Sequence, residues 1–255
     1  MTETSKTDNS RRKFITAGAA FAGLGLAPGV HLIQAAQADT SPSPKAVTSD
    51  KRWGMLIDAN KCGDCTACIT ACNKEFGLEG GQSSEGNKAR DTQKTQYIRK
   101  VELLNKQTGH KLSLPILCQH CESPPCVDVC PTGASMKRAD GIAKVDMHLC
   151  IGCRYCMMAC PYKARSFVHE KIVDQKPYAP RGMGTVESCN LCVHRVDEGR
   201  QPACVEACNK EGNKAMVFGD LKDENSAVSK QLKKHSSAQL RADLGLNTGI
   251  RYRGI

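Results

Sequence analysis

Apolar and polar positions alternate only in short bursts along this chain. Gly54 to Asp58 and Gly141 to Val145 read as brief strands, each ending a few residues before a cysteine. Tyr97 to Leu104 and Lys111 to Leu117 read as longer strands, joined as a hairpin through Asn105 to His110. Ser166 to Glu170 is a further strand. Helical turns are expected before Cys72, Cys130, Cys160 and Cys208, and Ser226 caps a short helix through Lys234. Gly77 to Gln96, rich in glycine, serine and charge, reads as a surface loop. Regular structure is therefore brief throughout.

Cysteine supplies the larger order. The 16 cysteines fall into four groups of four: Cys62, Cys65, Cys68, Cys72; Cys118, Cys121, Cys126, Cys130; Cys150, Cys153, Cys156, Cys160; and Cys189, Cys192, Cys204, Cys208. The third group reads C-x2-C-x2-C-x3-C-P. Three thiolates at steps of three wrap one iron–sulfur cubane, and the fourth, on a helical turn, reaches a second cluster. Pro161 stops that turn because it has no N–H to give. Four ligands per cubane then imply four [4Fe–4S] clusters. Two other readings compete. Even cysteine counts in exported proteins usually mean disulfides. Zinc uses two separated C-x2-C pairs, a pattern that the fourth group alone could imitate but the first and third could not easily.

Composition fits the cluster reading. Aromatic residues make up 4% of the chain and Trp53 is the sole tryptophan. Core must come from elsewhere, and metal-site formation energy doubles as folding energy.

The N-terminus carries an export pattern. Ser10-Arg11-Arg12-Lys13-Phe14-Ile15-Thr16 is a twin-arginine sequence, followed by a mildly apolar stretch from Thr16 to Ile33 and an A-x-A site at Ala36-Gln37-Ala38. Residues 1–38 therefore read as a Tat signal peptide. A membrane anchor is the alternative, weakened by Pro28, His31 and the glycines. Residues 39–51, rich in serine, proline and threonine, read as a linker. The Tat route exports folded proteins with cofactors installed, which would protect 16 thiols from an oxidising periplasm.

The formal charge of +10 points at first to nucleic acid. Removing the signal leaves 32 basic and 24 acidic residues, a net of +8. Four oxidised cubanes of about −2 each offset this. No nucleic-acid fold motif or basic run is present.

An internal repeat organises the groups. Leu56-Ile57-Asp58 stands three residues before Cys62, and Lys144-Val145-Asp146 three residues before Cys150. Groups two and four share a C-x2-C start and end in Cys126-Val-Asp-Val-Cys130 and Cys204-Val-Glu-Ala-Cys208. The order A-B-A′-B′ marks a duplicated two-cluster ferredoxin unit. Groups two and three end in Pro131 and Pro161, groups one and four in Asn73 and Asn209. These terminators suggest pairing two with three and one with four.

The run Cys118-Gln-His-Cys-Glu-Ser-Pro-Pro-Cys126-Val-Asp-Val-Cys-Pro131, with Gly133-Ala134 and Asp140-Gly141-Ile142, resembles the four-cluster subunits of the dimethyl sulfoxide reductase and nitrite reductase iron–sulfur family. The resemblance covers about residues 52–255. Met157-Met158-Ala-Cys-Pro-Tyr-Lys-Ala-Arg165-Ser-Phe and the export pattern are most similar to the DsrO-type subunits of the Dsr transmembrane complex. Missing prolines after Cys72 and Cys208 depart from the commonest family pattern.

The resemblance implies an α+β, irregular, cluster-dominated fold of duplicated bacterial 2[4Fe–4S] ferredoxin-like modules. An inner module would span about 116–170, an outer one about 52–115 and 171–218, and a C-terminal tail 219–255. It implies four ligand sets: Cys62, Cys65, Cys68 with Cys208; Cys189, Cys192, Cys204 with Cys72; Cys118, Cys121, Cys126 with Cys160; and Cys150, Cys153, Cys156 with Cys130. It further implies a periplasmic one-electron relay, peripheral to the inner membrane. Its partners would be an integral-membrane quinone-interacting subunit and a multihaem cytochrome c or other redox subunit. Dissimilatory sulfur metabolism is the expected setting; a nitrite, polysulfide or tetrathionate reductase subunit is the alternative, and a zinc-binding scaffold the alternative of another class.

No catalytic residues are expected, since no Ser-His-Asp set, nucleotide loop or open metal position is present. His120 and His194 flank cluster cysteines and would hydrogen-bond near the sulfurs. Arg154, Lys163 and Arg165 would either raise cluster potentials or lie solvated on the surface.

Overall fold

The computed structural model describes residues 47–78, 93–172 and 175–255. The twin-arginine segment, residues 39–46 of the linker and residues 79–92 of the expected loop lie outside the described residues. In chain order the elements are β1 (Trp53–Asp58), α1 (Ala59–Cys62), α2 (Ala67–Phe76), β2 (Ile98–Leu104), β3 (Lys111–Leu117), α3 (Pro125–Asp128), β4 (Ser135–Lys137), β5 (Ala143–Val145), α4 (Tyr155–Ala159), β6 (Ser166–Phe167), β7 (Val186–Glu187), α5 (Val193–Val196), α6 (Ala203–Lys210), β8 (Met216–Asp220), α7 (Ala227–Lys234) and β9 (Ile250–Arg253). The architecture is mixed, with short strands and helices around a cysteine-lined interior.

β1 is the middle strand of the largest sheet, antiparallel to β8 and parallel to β9. It is covered on both faces, so Met55, Leu56 and Ile57 are buried in an unbroken run instead of alternating. Gly54 is required here: a Cβ would come within 2.5 Å of the Leu221 side chain and 2.6 Å of the Gly249 carbonyl oxygen. The hairpin of β2 and β3 forms as the alternation predicts, with Ile98 opposite Leu117.

Proline decides helix length after each run. α3 and α4 stop at Asp128 and Ala159, before Cys130-Pro131 and Cys160-Pro161. α2 and α6 lack that stop and run past Cys72 and Cys208 to Phe76 and Lys210. Ser226 caps α7 by accepting from the Ser229 amide at 3.2 Å.

Two expectations change. The strand from Ser166 to Glu170 keeps regular pairing only over Ser166 and Phe167, against Glu187 and Val186. Beyond them Val168 continues irregularly, donating to the Thr185 carbonyl and accepting from the Gly184 amide. Residues 219–255 are also no tail. Ile250 and Tyr252, both fully buried, alternate with Arg251 and Arg253 and so present an apolar face to the core. The Tyr252 hydroxyl donates to the Pro115 carbonyl at 2.9 Å and accepts from Gln119 Nε2 at 3.2 Å. The C-terminal strand is thereby tied to the loop that carries Cys118 and Cys121.

Candidate functional site

All 16 cysteines are free thiols in this structure. Cys118, Cys121, Cys126 and Cys160 line one small cavity together with Pro124, Pro125, Ala143 and Arg165. Cys130, Cys150, Cys153 and Cys156 line a second, walled by Thr132, Ala134, Ser135, Val145 and Val186. Each cavity joins three thiols from one run to the last thiol of the other.

The remaining eight fall into two groups by mutual electrostatics. Burial pushes the Cys68 thiol up to about 12, with Cys208, Cys62 and Cys65 adding to the rise. Burial likewise lifts Cys72 far above the ordinary thiol value, reinforced by Cys189, Cys204 and Cys192. Neighbouring groups lie within electrostatic reach of one another. Cys204 feels Cys68, Cys118 feels Cys189, and Arg165 reaches both Cys126 and Cys156. The four groups are thus linked as a series of electrostatic neighbours.

Burial governs four further thiols. It raises Cys62 to about 11, Cys121 to about 12, Cys189 to about 12 and Cys192 to about 11. Cys130 behaves oppositely: burial raises it, but amide and hydroxyl donors at Ser135, Thr132 and Ala134 outweigh that and leave it below the usual value. Thiols this buried ionise only for a cation that replaces the proton.

Backbone donors aim at the sulfurs. The Ser135 amide donates to Cys130 Sγ at 3.3 Å, Val186 to Cys150 Sγ at 3.4 Å and Ala215 to Cys208 Sγ at 3.2 Å. The loops between thiols bend through left-handed residues, among them His120 (φ 45°), Gly152 (φ 71°), Arg154 (φ 65°) and Cys192 (φ 52°). At Gly152 a Cβ would run into the Gly184 carbonyl oxygen.

Several buried polar atoms have no partner among the described residues: His120 Nε2, Arg165 Nη1, Ser135 Oγ and Ser188 Oγ, all beside cysteines, are four of them. His120 Nδ1 accepts from the Ala143 amide at 3.0 Å, so the neutral ring carries its proton on Nε2. Burial and then Arg165 push its pKa down to about 3 and keep it neutral. Orphaned donors beside thiols suit a group with sulfide acceptors. A single tetrahedral zinc holds each sulfur about 2.3 Å from its centre. Among the described residues no three Cys, His, Asp or Glu side chains converge in a manner that fits one ion. The thiols ring cavities instead, which fits a multinuclear cluster.

Other polar residues have structural partners. His194 Nε2 pairs with Glu75 Oε1 at 2.7 Å, away from sulfur, and stacks on Tyr178. Arg195 grips Glu75 through Nε at 2.7 Å and Nη2 at 2.8 Å. Burial pushes the Glu75 carboxyl up, but Arg195 and His194 outweigh it and hold it low. Arg154 lines the second cavity and lies 3.8 Å over the Phe167 ring, and Lys163 points outward to the Met158 carbonyl. Of the three basic residues singled out in sequence, Arg165 hydrogen-bonds sulfur. The amide donors at Ser135, Val186 and Ala215 escaped sequence reading, because any residue type supplies an N–H.

The 4Fe–4S dicluster domain family matches residues 110–221. The Hdr-like menaquinol oxidoreductase iron–sulfur subunit 1 of Archaeoglobus fulgidus is 41% identical, over 95% of this chain and 97% of that protein. A subunit of the tetrathionate reductase of Salmonella typhimurium is 36% identical over 97% and 89%, and NrfC of Escherichia coli 37% identical over 76% and 77%.

Proposed function

Since this chain belongs to the family of [4Fe–4S] electron-transfer subunits of oxidoreductase complexes, we propose that it relays single electrons between a membrane quinone-interacting subunit and a second redox subunit, a multihaem cytochrome c or a related carrier. The bound clusters supply one-electron chemistry; the chain holds them, tunes them and excludes water. The ligand sets we propose are Cys62, Cys65, Cys68, Cys208; Cys72, Cys189, Cys192, Cys204; Cys118, Cys121, Cys126, Cys160; and Cys130, Cys150, Cys153, Cys156. The observation that carries this reading is the pair of cavities, each lined by three thiols of one run and the last of another.

The setting we propose is the periplasm, reached through the twin-arginine segment. Among the described residues no helix is long and apolar enough to cross a membrane. Membrane association therefore rests on a partner in this reading. The long match to a menaquinol oxidoreductase subunit favours a quinol pool on one side. Sulfur metabolism is supported by the tetrathionate reductase relative and by the DsrO-like motif around Cys160.

One end of the series is suited to docking. Cys153 is exposed, and within five residues of it along the chain stand the exposed side chains of Ile151 (67% exposed), Met158 (65%), Leu149 and Tyr155. A collar of large apolar side chains fits a permanent subunit better than a transient shuttle. We assign the membrane partner to this collar. Ile151→Asp with Met158→Asp tests the assignment. The variant should keep its clusters yet leave the membrane fraction and lose quinol-dependent reduction in membranes. Unchanged membrane association would overturn it.

A further inference from the structure

We propose that Arg165 is a positioning residue shared by two of the four cluster sites, one guanidinium hydrogen-bonded to a sulfur of the first and facing a sulfur of the second, and setting their reduction potentials together. This rests on the ligand sets proposed above.

Arg165 is 5% exposed. Its Nη2 donates to Cys126 Sγ at 3.1 Å, and the Cys156 thiol lies within electrostatic reach of the same guanidinium. Cys126 is the third cysteine of its run and Cys156 the third of the next, so the two thiols belong to different cavities. The titratable groups that face the guanidinium are the thiols of Cys126, Cys118 and Cys156 and the neutral His120 ring. Its Nη1 is buried without a partner among the described residues. A buried guanidinium with no counter-ion is strongly unfavourable. Anionic clusters held in the two cavities would remove that penalty and would offer Nη1 an acceptor.

The chemistry requires arginine at this place. The guanidinium is a planar fork of five donors, able to serve two acceptors in different directions, and it does not deprotonate. A fixed positive charge favours the more negative form of a neighbour. Each site becomes more negative by one charge when it takes an electron, so Arg165 raises both potentials. Reduction of one site also disfavours reduction of the next by repulsion, and the charge between them offsets this. The duplication provides an internal comparison. Five residues after Cys160 stands Arg165; five residues after Cys72 stands Gly77. The outer pair has no arginine at the equivalent sequence position.

The test is a redox titration of the full-length holo protein, followed by electron paramagnetic resonance. Arg165→Gln and Arg165→Lys would be compared with the parent, with iron and sulfide content measured on each. Signals are assigned first by their loss in Cys126→Ser and in Cys156→Ser. In Arg165→Gln both assigned signals should shift to lower potential, with the other two unmoved. Arg165→Lys keeps the charge without the fork, and should shift them less. A shift confined to one signal, equal shifts in all four, or none would overturn the proposal. If Arg165→Gln assembles fewer than four clusters, the lysine variant decides. Full assembly with parent potentials in it would reduce Arg165 to a structural role and overturn the tuning, whereas a partial downward shift of the two signals supports it. If Cys126→Ser and Cys156→Ser lose the same signal, the ligand sets are wrong, independently of Arg165.

Discussion

Ile57 stands directly opposite Met216 across β1 and β8. The inner repeat has the same arrangement, with Val145 opposite Ser135 across β5 and β4. In each case the strand before an A-type run pairs antiparallel with the strand after a B-type run. Cys62 lies five residues after Ile57 and Cys150 five residues after Val145, while Cys208 and Cys130 precede Met216 and Ser135. The inner pair closes locally through a hairpin. The outer pair closes only when β8 returns from near the far end of the chain to lie against β1.

Anaerobically purified protein should contain about 16 iron and 16 sulfide per chain, four cubanes of four irons each. Zinc as the dominant metal would refute the cluster assignment.

The cross-pairing predicts which substitutions share a phenotype. Cys160→Ser and Cys121→Ser should lose the same reduced-cluster resonance, because both thiols line one cavity. Cys153→Ser and Cys130→Ser should lose a different one. Comparison of cytoplasmic holo proteins by electron paramagnetic resonance checks this. If Cys160→Ser matched Cys153→Ser, each run would hold its own cluster.

Gly152→Ala should destabilise the protein and selectively weaken the site of Cys130, Cys150, Cys153 and Cys156. The left-handed φ of 71° disfavours a side chain, by roughly 1–2 kcal/mol, and the Gly184 carbonyl blocks the Cβ in addition. Iron content and thermal melting would report it. A variant with full iron and unchanged melting would contradict the crowding.

Glu187 is fully buried and ion-paired to Arg181 at 2.6 Å, with the Tyr97 hydroxyl donating to it at 3.3 Å. Arg181→Met should cost about 3–5 kcal/mol by leaving the carboxylate unpaired, and Arg181→Met with Glu187→Leu should recover much of that. Denaturant midpoints of the single and double variants test the difference. Equal loss in both would show that the pair's charge is not what stabilises this region.

Changing Arg11 and Arg12 together to lysine should strand the holo protein in the cytoplasm, because the Tat machinery reads the pair. Cell fractionation checks it. Undiminished periplasmic yield would rule out the twin-arginine reading.

Local chemistry was legible in the sequence. Cysteine spacing marked the four runs, proline marked where α3 and α4 end, and short bursts of apolar positions marked β1, β2, β3 and β5. These are properties of a few consecutive residues, so the chain states them wherever it lies. β4, β7, β8 and β9 were not legible. Each is five residues or fewer, and two of them, β8 and β9, become strands only by pairing with β1, more than 150 residues away. For the same reason 219–255 looked like a tail until Ile250 and Tyr252 met the central sheet. The pairing of the runs was already suggested by their terminators and implied by the family resemblance, whereas which amides point at sulfur, and that Arg165 lies between two runs while Arg154 and Lys163 do not, were decided by tertiary structure alone. Those relations depend on long-range strand pairing and on burial, which spacing along the chain does not encode.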